Sequence, residues 1–132
     1  MRDSSPIQKQ FFARLADGRQ ILDALDRIPG AMFMIKNLDS RYIFMSRALK
    51  EAIHLPHHFE VVGMTDFDIF PEIIAQSFRQ NDLLVFEHGK PLINEVHAVG
   101  FFAHAMKWAY SSKFPLHDHR GRVIGLITIN ED

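Results

Sequence analysis

Apolar residues in this chain recur first at helical spacing and then in short strand-like runs. From about Ile7 to Leu25, Phe11, Leu15, Leu22 and Leu25 fall near a 3.6-residue period, interrupted by Asp17 and Gly18. That pattern predicts one bent helix or two short ones, ended by Pro29-Gly30. AMFMIK (31–36) and RYIFMS (41–46) then flank NLDS, whose Asn and Asp suit a tight turn, and so read as a β-hairpin. Ser46 is placed to cap a helix over Ala48 to His54, and Pro56 stops it. In GMTDFDIFP (63–71), Asp66 and Asp68 beside Thr65 and Pro71 read as helix-start caps rather than paired catalytic carboxylates. The next helix is expected from Pro71 to Gly89: Pro suits a first helical position, Glu72 complements the helix dipole and Gly89 suits the C-terminal cap. Its apolar stripe is read as Ile74, Phe78 and Val85, widened by Ile73 and Leu84. Three further strand-like segments follow, PLINEVHAV (91–99), AMKWAYSSKF (105–114) and RVIGLITIN (122–130), the last two joined by the turn-forming HDHRG. The sum is an α+β chain: a five-stranded antiparallel sheet with helices inserted between its second and third strands.

In AMFMI and VIGLITI both alternating faces are apolar, whereas a sheet with one wet face shows strict alternation. Both faces are therefore expected to be covered. The central helices supply one cover; the amphipathic N-terminal helix or a partner subunit supplies the other. The expectation is a homodimer whose contacts involve Phe11, Phe12, Leu15 and the outer sheet face.

With 132 residues, 47% of them hydrophobic, the chain suffices for one sizeable core. Lys and Arg number 15 against 16 Asp and Glu, so no net positive field draws it to nucleic acid or to an anionic membrane. Absence of cysteine excludes disulfides, Cys-ligated metals and Cys nucleophiles, and fits a reducing, cytoplasmic setting. The N-terminal MRDSSPIQKQ is not a signal peptide, and no apolar run approaches the roughly 20 residues that span a bilayer.

FMIKNLDSRYIFMSRAL, GMTDFDIFP and SSKFPLHDHRGRVIGLITIN, in that order and spacing, resemble the PAS domain, a small sensory module. The resemblance covers roughly residues 20 to 132 and divides the chain into a flanking dimerisation helix (1–26) and a PAS domain (27–132). It implies a glove-like fold in which the sheet and its inserted helices enclose a pocket for a small ligand. Two departures stand out: Ser46, where many relatives carry Asn, keeps the cap, and GFFAHAM makes a loop unusually apolar. Carried over by alignment of strands, the resemblance implies that Met34, Tyr42, Phe44, Ala109, Ser111, Lys113, Leu126 and Thr128 face the pocket, with Leu49 and Phe78 opposing them from helices. The row Lys107, Ala109, Ser111, Lys113 would leave buried charge unpaired unless something answers it, so Lys113 with Ser111 is expected to meet a carboxylate or other polar group of a ligand; the alternative is a rim position where Lys heads reach water.

Flavin-adduct and cinnamoyl-type photoreceptors of this family need a Cys, which this chain lacks, and the haem ligand of other members lies within the long helix, where only the terminal His88 stands. Neither haem nor a Cys-linked chromophore is expected, and the cofactor is left unknown. His54, His57 and His58, and His117 and His119, match no zinc-ligand spacing and read as loop histidines rather than a metal site. The chain carries no Gly-rich phosphate loop, G-x-S-x-G elbow or H-E-x-x-H, so no catalytic residue is assigned. A small pocket enzyme using His97 or His104 with a carboxylate is the rival from another class. The resemblance implies the sensory segment of a larger regulator, in the first place a LuxR-type helix-turn-helix transcription factor, in which DNA is contacted through an output domain and not by this segment. Histidine kinases and cyclic-dinucleotide enzymes are the alternative contexts.

Overall fold

A computed structural model describes residues 5–99 and 107–131. The N-terminal periodicity resolves into two helices, α1 (Pro6–Arg14) and α2 (Arg19–Leu25). Ser5 caps α1 in a capping box with Gln8, and Asp17 turns back onto Arg19 to separate the two. After them come β1 (Met32–Asn37), β2 (Tyr42–Met45), α3 (Arg47–Ala52), a 3₁₀ turn (Asp66–Asp68), α4 (Glu72–His88), β3 (Leu92–Val99), β4 (Lys107–His117) and β5 (Val123–Glu131). The strands form one antiparallel sheet in the order β2-β1-β5-β4-β3, so the last strand is inserted at its centre. The expected α+β fold, with its helices between the second and third strands, is what forms.

Register decides which side chains share a face, because residues opposite each other in a ladder point the same way. Met34 lies opposite Thr128 and Thr128 opposite Lys113; Lys36 lies opposite Leu126 and Leu126 opposite Pro115. These form the inner face, against which α3 and α4 pack. Phe33 with Ile129, and Ile35 with Ile127 and Phe114, form the outer face. The hairpin carries a bulge: Ile35 pairs with Phe44 but Lys36 pairs with Tyr42, leaving Ile43 as the extra residue. Tyr42 therefore turns inward, while Phe44 turns to the outer face and stacks on Phe33, ring centroids 5.5 Å apart. The expectation that Phe44 faces the pocket is corrected by this bulge, which breaks the period-2 relation between residues 42 and 44.

The main apolar core is Tyr42, Met45, Leu49, Ile53 and Val61, with Met32, Met34, Leu55, Met64, Ile69 and Phe70 packed against it. On α4 the buried residues are Ala75, Asp82 and Val85, and Phe78 meets Phe70 edge-on at 5.3 Å. Positions 75, 78, 82 and 85 define the inward stripe, at alternating three- and four-residue steps. Ile73 and Leu84, expected to widen that stripe, are 77% and 44% exposed. Gly89 ends α4 in the left-handed conformation, at φ 62°. No residue of α1 is buried; Phe11 and Phe12 are 65% and 58% exposed, and neither α1 nor α2 forms an extended contact with the sheet. Within one chain, the N-terminal helix does not cover the outer face.

Candidate functional site

Between the inner sheet face and α4 lies a cluster of buried charged groups drawn from four elements, β1, the 3₁₀ turn, α4 and β4. Lys36, a fully buried residue on β1, places its Nζ 2.5 Å from Asp66 Oδ2 and 2.9 Å from Asp82 Oδ2. Lys113, on β4, places its Nζ 2.9 Å from Asp82 Oδ1 and 3.4 Å from the Thr128 hydroxyl of β5. The Tyr42 hydroxyl donates to Asp66 Oδ1 in a short hydrogen bond. Ser40, in the β1–β2 turn, donates to Asp82 Oδ2 at 2.8 Å and accepts from Arg79 Nη1 at 2.7 Å. Arg79 also donates to the Leu38 carbonyl, so α4 grips the hairpin turn at two points. Ser40 holds its place at φ 58°, a left-handed conformation that a serine adopts at a cost.

Two lysines and two aspartates give this cluster a formal balance of charge. Burial pushes the Lys36 ammonium down, but Asp66 and Asp82 outweigh it and hold Lys36 above its ordinary 10.5. Asp82 is likewise penalised by burial, yet Lys36 and Lys113 hold it below its ordinary 3.8. Lys113 is pushed down by burial and by the neighbouring Lys36, with Asp82 only partly offsetting them. Burial and the Asp66 carboxylate push the Tyr42 phenol far up, so it stays a neutral donor. Asp82 Oδ1 lies within ion-pair distance of Lys113, yet among the described residues it accepts no directed hydrogen bond. At 2.9 Å the Lys113 ammonium is nevertheless paired with that oxygen, and the pairing helps hold the Asp82 carboxyl in its charged form.

Of the residues expected at the pocket, Tyr42, Leu49, Ser111, Lys113, Leu126 and Thr128 are buried, while Met34 and Phe78 are half-buried at the core's edge. The cluster brings together Tyr42, Lys113 and Thr128; Ser111 lies one position along the inner row of β4, opposite Asn130. Ala109 pairs with His97, and Lys107 with Val99, at the far end of β4. The Lys113 ammonium is buried rather than at a rim, and its charge is answered within the chain by Asp82. The cap reading of the short turn holds for Thr65 and Asp68, whose side chains bond each other's neighbouring backbone. Asp66 departs from it: 2% exposed, it turns inward to Lys36 and Tyr42.

Sequence reasoning alone misses Lys36 and Asp82, although each leaves a signal. Lys36 ends a run of apolar residues at an inward position of its strand, and Asp82 falls in register with Phe78 and Val85 on the apolar face of its helix. The chain also has an open cleft of about 220 Å³ lined by Ile53, His54, Leu55, Phe59, Asp68 and Ile69. Among the described residues, no group of three or more His, Asp or Glu is placed to hold a metal ion. Nor is any described helix long and apolar enough to cross a membrane. The GFFAHAM loop and His104 lie outside the described residues, as do the ends of the chain.

The comparisons agree with this architecture. A family model described as PAS fold matches residues 25–132. A comparison with curated protein sequences gives no match. Among solved structures, the Vibrio cholerae VqmA dimer, described as a LuxR-type receptor, is 24% identical, with TM-score 0.70 over 88% of this chain and 51% of that one. A phage VqmA in complex with DPO is 27% identical, with TM-score 0.70 over 86% of this chain and 51% of that one. The PAS domain of Bordetella pertussis BvgS is 18% identical, with TM-score 0.70 over 86% and 84%. This chain thus spans about half the length of the VqmA chains and most of the BvgS domain. With the inner-face helices, the five-stranded order and the matched family model in agreement, the chain belongs to the PAS fold family.

Proposed function

We propose that this chain is a cytoplasmic sensory domain that binds a small ligand at the inner sheet face, dimerises, and passes occupancy on to an attached output domain, in the first place a DNA-binding one. The observation that carries the reading is the buried cluster itself. Asp82 of α4 is held at once by Lys36 of β1, Lys113 of β4 and Ser40 of the hairpin turn, so a ligand that changes one of these contacts changes how α4 sits on the sheet. A ligand shifts such an equilibrium only by its difference in affinity between the two arrangements, and buried ion pairs supply large differences. Lys113 with Ser111 remains the pair proposed to meet a polar group of the ligand, with Tyr42, Leu49, Phe78, Leu126 and Thr128 around it.

VqmA proteins described as bound to DPO, dimeric and DNA-binding support the regulator context. The PAS domain of the histidine kinase ThkA, 16% identical with TM-score 0.61, supports a sensor kinase as the second reading. A domain division at residue 26 is part of the proposal, with the flanking helices serving the dimer. An enzymatic reading is not favoured, since His97 pairs with Ala109 at the far end of the β3–β4 ladder, away from the cluster.

The test is to denature the purified chain and identify released small molecules by mass spectrometry, and to titrate the emptied protein with DPO by calorimetry. A stoichiometric compound, or saturable heat that Lys113→Met abolishes, supports the reading. Neither a released compound nor any saturable ligand would leave a purely dimerising module and sink the sensor.

A further inference from the structure

We propose that the open cleft between the end of α3 and the 3₁₀ turn is a second small-molecule site, separate from the inner sheet face, and that its ligand is an organic amine: an ammonium group carried on a small aromatic or apolar body.

The cleft, about 220 Å³, is walled by two stretches of chain: Ile53, His54, Leu55 and Phe59 after α3, and Asp68 with Ile69 at the 3₁₀ turn. None of these residues belongs to the sheet or to α4. Its apolar side is fixed by the core, since Ile53 is buried there and Leu55 and Ile69 pack against it. The Lys50 ammonium donates to the carbonyls of His57 at 3.1 Å and of Phe59 at 3.0 Å, so the wall carrying the Phe59 ring is tied to α3. A concave, mostly apolar surface with a few polar groups beside it is the form that small-molecule sites take.

Three residues select the ligand's chemistry. His54 follows the C-cap of α3, where its amide donates to the Glu51 carbonyl at 3.1 Å and the Leu55 amide to that of Lys50 at 2.8 Å, the paired bonds of a Schellman turn. Its φ of 62° is the conformation that favours glycine at this position, so an imidazole is kept beside the cleft at a cost in stability. Asp68 commits Oδ2 to the Thr65 amide at 2.9 Å, and its exposed side chain leaves Oδ1 to accept from a ligand. No Lys or Arg joins Asp68 on the described lining, so charge complementarity calls for a cation there. Phe59, an exposed aromatic ring on the same lining, favours a cation too, and an unprotonated imidazole nitrogen of His54 can accept from an ammonium N–H. An anion would meet the Asp68 carboxylate unanswered, and a neutral alcohol would forgo the charge-assisted bond.

The test titrates the protein, in mildly alkaline buffer, with three probes at millimolar concentration and follows its amide NMR signals: phenethylamine, phenethyl alcohol, which lacks the charge, and phenylacetate. The expected result on the unaltered protein is saturable binding of the amine, with shifts centred on residues 53–59 and 68–69, about tenfold weaker binding of the alcohol, and none of phenylacetate. In Asp68→Asn, whose amide oxygen can still accept from Thr65, the preference for the amine falls to within about twofold. His54→Gly relieves the left-handed strain, so its melting midpoint should rise while its affinity for the amine falls by about threefold or more. A raised midpoint with unchanged affinity overturns the part given to His54. Equal binding of amine and alcohol to the unaltered protein overturns the amine inference, and needs no variant to read. Amine-induced shifts centred on Ser111 and Thr128 overturn the cleft as the site while favouring the inner-face reading. Absence of binding by all three overturns this inference and leaves the inner-face reading standing, since the two sites share no residue.

Discussion

Lys36 and Asp82 meet 2.9 Å apart with both side chains fully withdrawn from solvent, joining the end of β1 to the middle of α4. Forty-six residues separate them in sequence, so the pair is a long-range statement of how the helix must lie on the sheet. Such a pair is a weak source of net stability, because desolvation cancels most of the attraction, but removing one partner strands the other in the interior.

Asp82→Ala should therefore be severe. It leaves Lys36 with Asp66 alone and Lys113 with no carboxylate, and the expected loss is about 3–5 kcal/mol. For a chain of this size that lowers the melting midpoint by roughly 10–20 °C. Adding Lys113→Met removes one of the stranded ammonium groups. The double variant should be less destabilised than the two single changes together, with a coupling of about 0.5–3 kcal/mol in a double-mutant cycle. Additive losses would show that Asp82 and Lys113 do not act on each other.

The same groups fix the shape of stability against pH. Asp82 has its folded pKa below the ordinary 3.8, so its contribution is fully present above that value and is lost as pH falls below it. Lys36 has its folded pKa above the ordinary 10.5, so its contribution is present below 10.5 and is lost on going higher. Tyr42, raised from 10.0, loses stability in the same direction. Lys113 has the opposite sign: its depressed pKa costs stability at lower pH, and that cost is relieved as pH approaches 10.5. Chemical denaturation across pH 3 to 11 should show a plateau with falls at both ends. Tyr42→Phe should flatten the alkaline fall. An alkaline limb identical in that variant would mean the phenol is not held neutral by the fold.

Gly125 sits where β5 runs against the backbone of β1. A Cβ at that position would stand 2.2 Å from the Lys36 carbonyl oxygen, a backbone atom that cannot swing aside. Gly125→Ala should thus push the two central strands apart and cost at least about 1–3 kcal/mol. Gly18 is the control. It lies at φ −60°, and a methyl group added there would meet nothing within 4 Å, so Gly18→Ala should be neutral or stabilising by about 0.4–1 kcal/mol. Equal melting midpoints for the two variants would contradict the close approach at Gly125.

Element boundaries were largely legible in the sequence because local chemistry sets them. Ser46 accepts from the Leu49 amide and, through its hydroxyl, also ties the Phe33 amide, and Gly89 takes the left-handed cap that its position requires. The site was only half legible. Lys113 stands out because two lysines on one strand row demand partners, yet its partner Asp82 comes from a helix that sequence spacing cannot align with β4. Asp66 looks like a cap because Asp68, two residues on, is one. Phe44 is misplaced by a single bulged residue, which no alternation of apolar and polar positions reveals when both faces of the strand are apolar.

The outer face leads to the last prediction. Phe33 is buried within the layer it shares with Phe44, but Ile129 is 42% and Tyr110 50% exposed, and α1 leaves Ile7, Phe11 and Phe12 open to water. These two apolar surfaces do not meet within one chain and are the ones proposed to meet between two chains in the homodimer, with Leu15 half-buried at the end of α1. If that is the interface, the melting midpoint of the unaltered protein should rise with concentration, since association draws the equilibrium toward the folded state. Phe11→Ser with Phe12→Ser should give a monomer by light scattering and abolish that concentration dependence. Because neither ring packs against the core of its own chain, the fold of the variant should remain intact, with an unchanged far-ultraviolet dichroism spectrum. A tight dimer that survives both changes would place the interface elsewhere and leave α1 without a role in it.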